Sequence, residues 1–203
     1  MEFTFKRTAQ ITGLLLLLAA ITQAIYTALY VAEMDVPRQL LWGSEGFLFV
    51  LTAAFAGSAL VQAQSQQLAW SAITAAAVLN VIQVGVGLTM FGPFFEAAGE
   101  VEGLNPAARS VVAFSFMVYN AAKVLLALAL MVFGLAALNA GGKLLGGAGA
   151  LVGGVALLSN TASMAVGRDV FGELPLAGAS GVLATVLLAI CLLTFSHTAS
   201  EEG

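Results

Sequence analysis

A carboxylate and an amine stand inside stretches that otherwise hold nothing ionisable: Glu45 in the apolar run 40–61 and Lys123 near the middle of the run 110–138. The other charged side chains of the chain fall outside its apolar runs. A charge in hydrocarbon costs about 2.5–3.5 kcal/mol on insertion scales, so such a residue is read first as functional. Uncharged hydrogen-bonding groups keep the two company: Gln23, Asn80, Gln83, Tyr119, Asn120 and Asn160. The chemistry open to this set is recognition of a small polar or anionic solute, with Lys123 attracting the anion, the amides donating and accepting, and an unpaired Glu45 carrying a proton. A plainer reading is that the amides join helices through hydrogen bonds of about 0.6 to 2 kcal/mol while Glu45 neutralises Lys123. A third makes Lys123 a base or Schiff-base nucleophile, but no other catalytic group accompanies it. The balance lies with a protein that is not an enzyme.

Other chemistry lacks its residues. The single histidine, His197, cannot supply paired imidazoles for haem or zinc, and it lies beyond the sixth apolar run at the cytoplasmic edge, where it cannot serve a nucleophile within the bundle. Cys191, the one cysteine, has no partner for an intrachain disulfide and sits in an apolar run as a packing residue. Gly142 and Lys143 are followed by Leu144, not by the hydroxyl of a phosphate-binding loop. No cofactor is expected. The net charge of −4 leaves no basic surface for nucleic acid.

The elements that must position these residues follow from composition. Of 203 residues, 60% are apolar and 9% charged, against about 25% charged in a soluble domain. A hydrocarbon core of about 30 Å takes about 20 residues of helix. Six stretches qualify, at about 11–31, 40–61, 68–90, 110–138, 144–166 and 176–195. Lipid offers no partners for backbone groups, and alternating ten-residue strands are lacking, so the expected fold is all-α: one domain, residues 1–203, a bundle of six transmembrane helices. The first stretch is too long for a signal-peptide core and has no clear small-residue cleavage site, which makes it a membrane helix.

Punctuation marks the helix starts: Pro37, Pro106 and Pro175 precede runs, and Asn105 is a candidate N-cap. A start at Pro106 would make the fourth helix about 50 Å long, so that it must tilt, kink or project. Gly92 to Arg109 is the longest expected connection, and it divides the chain into two three-helix halves of opposite orientation, as in inverted repeats, though the halves show no sequence similarity. Trp42 and Trp70, near helix starts, are expected as interfacial anchors.

Lysines and arginines tie, with Lys6, Arg7 and Lys143 on one side and Arg38, Arg109 and Arg168 on the other. The first helix breaks the tie, being basic before and acidic after, which expects both termini in the cytoplasm. The external rim then holds Glu33, Asp35, Glu96, Glu100, Glu102, Asp169 and Glu173.

Counted from that rim, the polar residues lie about 7 Å (Glu45) to about 20 Å (Lys123) deep, a cluster on the external side of the midplane or near it. Ser115, Tyr119, Asn120 and Lys123 span an arc of about 140°, and Asn80 and Gln83 lie about 60° apart, so the groups can line one cavity floored by Lys123. The axial offset of about 13 Å between Glu45 and Lys123 exceeds the reach of a lysine. In the fifth helix, Gly142 with Gly146 and Gly149 with Gly153 have the spacing of a close-packing face, which fits a helix of the same chain, a partner protein or a second copy. A non-catalytic accessory or assembly subunit is therefore the alternative function.

The run Thr8, Ala9, Gln10, Ile11, Thr12, Gly13, Leu14, with Phe133, Gly134, Gly142, Leu145 and Gly146 later, resembles an uncharacterised family of small bacterial integral membrane proteins. The resemblance implies a six-helix protein of the bacterial inner membrane and assigns no activity.

Overall fold

A computed structural model describes residues 3–172 and 174–194; Glu173, Phe195 and His197 lie outside these. Among the described residues the chain is all-helical. Six helices are long and apolar enough to cross a membrane: α1 Phe5–Val31, α2 Arg38–Gln62, α3 Gln67–Glu100, α4 Asn105–Asn139, α5 Lys143–Val166 and α6 Leu176–Thr194. Short 3-10 turns at Glu102–Leu104 and Arg168–Phe171 complete two of the connections.

The largest departure from expectation is the stretch 92–109. It is almost entirely helix: α3 continues through Pro93 to Glu100 and α4 begins at Asn105, which leaves only Val101 and the 3-10 turn between them. A proline removes one backbone donor, a loss a long helix absorbs as a bend. Asn105 is not an N-cap; it is the first helical residue, and its Nδ2 donates back to the Glu102 carbonyl at 3.1 Å. At the other end of the sequence α1 begins at Phe5, so Lys6 and Arg7 lie in its first turn and not before it.

The helices turn most of their small and polar residues inward and many large apolar ones outward, the sorting expected where lipid is the solvent. In α1 the inner line is Thr8, Thr12, Leu16, Ala19 and Gln23, all buried, and the outer line is Leu14, Leu18, Ile21 and Ile25, all exposed. Threonines return their hydroxyls to their own helix, as Thr12 does to the Thr8 carbonyl and Thr52 to the Leu48 carbonyl, which satisfies them without water.

Five helices close a ring in the order α1, α2, α3, α4, α6 and back to α1; α5 lies outside it, packed on α4 and α6. The halves are thus unlike in packing, since α4 and α6 are close neighbours and α1 and α3 are not. We call the end of the bundle carrying Glu33, Asp35, Glu96, Glu100, Glu102 and Asp169 the acidic end, and the end carrying Lys6, Arg7 and Lys143 the basic end.

At the basic end the core is aromatic and aliphatic. Trp70 is buried with its ring edge-to-face against Phe5 and Phe133, among Phe49, Ile73, Leu126 and Leu130. Trp42 is buried between Tyr26 and Phe91, its ring laid over Gly87, where a Cβ would come within 2.4 Å. Both tryptophans turn into the bundle near the starts of their helices, and Trp42 fills the space that Gly87 opens.

Gly146, Gly149 and Gly153 of α5 face α4 of the same chain. A Cβ on Gly146 would lie 2.6 Å from the Leu138 nitrogen, one on Gly153 3.0 Å from the Ala127 carbonyl, and one on Gly134 2.7 Å from the Ala150 nitrogen. Gly149 rests against Leu130 and the Gly134 Cα. The face that Gly149 and Gly153 were expected to offer to a partner protein or a second copy is filled from within.

This contact sets an antiparallel register that brings Val166, the end of α5, level with Met117. Roughly twelve residues of α4, about 18 Å, therefore run past α5 at the acidic end. By the register of Trp42 on Gly87 and Gly46 on Val84, α3 overruns α2 in the same direction. The α3–α4 hairpin projects from the acidic end.

Candidate functional site

Four helices meet at one buried chain of polar groups. Lys123 of α4 is fully buried, and its Nζ donates to Gln23 Oε1 of α1 at 2.7 Å and to Thr185 Oγ1 of α6 at 3.2 Å. The Gln23 amide turns its other atom outward: Nε2 donates to Glu45 Oε1 of α2 at 2.7 Å. The charges dictate that orientation, because only the amide oxygen can accept from an ammonium and only the amide nitrogen can donate to a carboxylate. The Lys123 Nζ also lies 5.2 Å from the centre of the Tyr119 ring, within range of a cation–π contact.

The backbones of α1 and α4 are not close neighbours, so Gln23 and Lys123 meet across the interior of the ring. The stem of Lys123 crosses Gly181 of α6: a Cβ there would lie 3.0–3.2 Å from Lys123 Cβ, Cγ and Cδ. One turn on, Thr185 gives its hydroxyl proton to the Gly181 carbonyl at 2.8 Å, which leaves its oxygen lone pairs for the lysine. Gly181 makes room for the stem and Thr185 receives its head.

Glu45 and Lys123 thus meet through an amide and not in contact. The expected depth difference between them was too large because it counted Lys123 from the projecting part of α4. Gln23 sits about 12 Å from the end of α1, and Lys123 shares its level.

The other polar residues divide. Gln83 of α3 reaches Ser115 of α4 at 3.4 Å, two turns from Lys123 toward the acidic end. Asn80 is fully buried and donates to its own helix at the Ala76 carbonyl, leaving Oδ1 without a partner. Asn160 belongs to the α5–α6 contact: Nδ2 donates to the Ala156 and Ala177 carbonyls, beside a 2.8 Å hydrogen bond between the Ser159 and Ser180 hydroxyls. Asn120 lines a cleft between α4 and α5, about 60° round α4 from Lys123. The eight predicted residues therefore occupy the ring interior (Gln23, Glu45, Tyr119, Lys123), the α3–α4 contact (Gln83), a single helix (Asn80) and the α5 side (Asn120, Asn160).

Sequence reasoning did not single out Gly181, Thr185 or Ser163. The spacing of Gly181 and Thr185, one turn apart on a helix, was available as a signal, but glycine and threonine are common in membrane helices and carry no cost that would draw attention. Among the described residues, no group of three or more His, Cys, Asp or Glu side chains is placed to hold a metal ion.

No family model matches this chain, and comparison with curated proteins and with solved structures finds no match either.

Proposed function

We propose that this is a multi-pass protein of a bacterial inner membrane, with both termini in the cytoplasm, that binds or transports a small polar or anionic solute through the acidic half of its helix ring. The observation that carries the reading is the Gln23 amide held between two buried, opposite charges. A role in stability alone is met as well by apolar packing, since taking two charges out of water costs more than their attraction commonly returns. Here Gln23 occupies a slot that asks for an acceptor at Lys123 and a donor at Glu45. A solute carrying both groups on neighbouring atoms, such as an amide or an amino acid, meets the same demand; a plain carboxylate meets the lysine half of it. Gln23 acts as a built-in stand-in that such a solute displaces.

The alternative, an accessory or assembly subunit, drew its support from the glycine face of α5, and that face is taken up by α4.

Chemical rescue tests the proposal. Gln23→Ala empties the slot and should lower the melting temperature in lipid nanodiscs. Millimolar acetamide or alanine should restore it, acetate less so, and none should act on Gln23→Ala combined with Lys123→Met. If no amide, amino acid or carboxylate stabilises the Gln23→Ala protein, the slot is structural and the proposal fails.

A further inference from the structure

Between α4 and α5 the bundle opens a cleft of about 880 Å3 near the acidic end, within the size range of small-molecule sites. Its cause is the packing already described. Gly134, Gly146, Gly149 and Gly153 hold the two helices at backbone contact toward the basic end. Beyond Gly153, α5 places Ser163 and the bulkier Met164 and Val166 along the cleft. The register of the glycine contact, continued toward the acidic end, brings Ser163 level with Asn120.

The lining has a consistent order. Phe114, Phe116 and Met117 of α4, each substantially exposed, form apolar walls with Phe95 of α3. The floor is polar: Asn120 is 4% and Ser163 5% exposed. The Ser163 hydroxyl is buried and has no hydrogen-bond partner. Buried hydroxyls in membrane helices ordinarily return to their own backbone, as Thr12, Thr52 and Thr185 do in this chain. Ser163 is an exception, and it faces a cleft.

We propose that this cleft binds an uncharged amphiphile, a neutral lipid whose hydroxyl or carbonyl head bonds Ser163 and Asn120 while its apolar body lies along Phe114 and Met117 into the bilayer. The floor selects against charge. It offers one hydroxyl and one amide, and an ionised head there would lose its water with no counter-charge. The charged residues in the lining, Arg109 and Asp169, are opposite in sign. Arg109 stands about 16 Å up α4 from Asn120, too far to serve the same head group. This site shares no residue with the Gln23–Lys123 slot and does not rest on the solute proposal.

The test is photolabelling of the full chain in phosphatidylcholine nanodiscs with 1-monoolein carrying a diazirine in its acyl chain. Adducts should concentrate in 112–120 and 163–169. Excess unlabelled 1-monoolein should displace them, and oleate should not. Ser163→Val should lower labelling about threefold or more, and Ala113→Trp, which fills the cleft without touching its floor, at least tenfold, with melting temperatures within a few degrees of the parent. Should Ala113→Trp fail to fold, Ser163→Val decides alone. Labelling spread over the lipid-facing residues Leu144, Leu151 and Leu158 as heavily as over the cleft would overturn the proposal. So would displacement by oleate equal to that by monoolein, which would mark an anionic-lipid site, or labelling unaltered in Ser163→Val.

Discussion

The two faces that α4 turns to its neighbours solve the problem of joining helices in opposite ways. Toward α5 at the basic end the contact is made largely by backbone: Gly134 meets Gly146, Gly149 and Ala150, with Leu130 and Leu138 laid over the facing glycines. Toward α1 and α6, one long side chain, Lys123, spans the interior and is caught at its tip by Gln23 and Thr185. Glycine contact gives many small dispersion gains at close range and tolerates no added atom. The polar contact depends on a few strong bonds and leaves room for a group of the same chemistry to take a partner's place. The first kind of joint holds position, and the second is suited to exchange.

Adding atoms to the glycine joint should produce the largest effect. Gly146→Ala places a methyl 2.6 Å from the Leu138 nitrogen and 2.8 Å from the Gly134 carbonyl, both backbone atoms that cannot swing aside. We expect a loss of about 3 kcal/mol, at the upper end of the usual cost of overpacking, read as a lowered melting temperature in detergent. Gly178→Ala, with open space around it, should cost nothing. Equal stability of the two variants would mean that α5 does not depend on close approach.

These two joints were unequally legible in the sequence. The glycine spacing in α5 was plain, and what the sequence lacked was the partner: nothing local to Gly149 and Gly153 says that the facing helix is α4. The charged pair was equally plain because Glu45 and Lys123 stand out against apolar runs. Their meeting through Gln23 was not, because it depends on ring order and on the overhang of α4. The overhang escaped because the stretch from Gly92 to Arg109, with the acids Glu96, Glu100 and Glu102, reads as a connection, although a long helix tolerates Pro93 as a bend and solvates its acids where it projects. The burial of Trp70 was not legible either, because the rings that cover it, Phe5 and Phe133, come from distant parts of the sequence.

The polar joint should be weaker than the glycine joint and should show coupling that the other lacks. Lys123→Met leaves Glu45 still held by the Gln23 amide, so the loss should be about 2 kcal/mol, less than the 3–5 kcal/mol for breaking a direct buried pair. Adding Glu45→Gln removes the carboxylate left without its cation and should return about 1 kcal/mol of that loss. A double variant no more stable than Lys123→Met would mean that the two charges do not communicate through Gln23, and the exchange slot would lose its electrostatic basis.

The smallest effect sharpens the contrast most, because it puts a glycine inside the polar joint. Gly181→Ala in α6 gains about 1 kcal/mol of helix propensity, and its methyl would lie 3.0 Å from Lys123 Cγ, a contact that asks the lysine stem to give by a few tenths of an ångström. Unlike the backbone atoms facing Gly146, that stem is a flexible chain and can yield, though doing so draws Nζ away from Gln23 and Thr185. Gain and loss should nearly cancel in the parent protein, for a net change within about 0.5 kcal/mol. In a Lys123→Ala background only Cβ of the stem remains, 3.2 Å from the added methyl, and Gly181→Ala should stabilise by most of the propensity gain of about 1 kcal/mol. Gly178→Ala, two residues from Ser180 and free of contacts, should give the same gain in both backgrounds. Thermal melts of these variants measure whether Gly181 is small in order to admit the lysine. A Gly181→Ala gain independent of residue 123 would show that the stem has room to spare, and that the lysine is held at its tip alone.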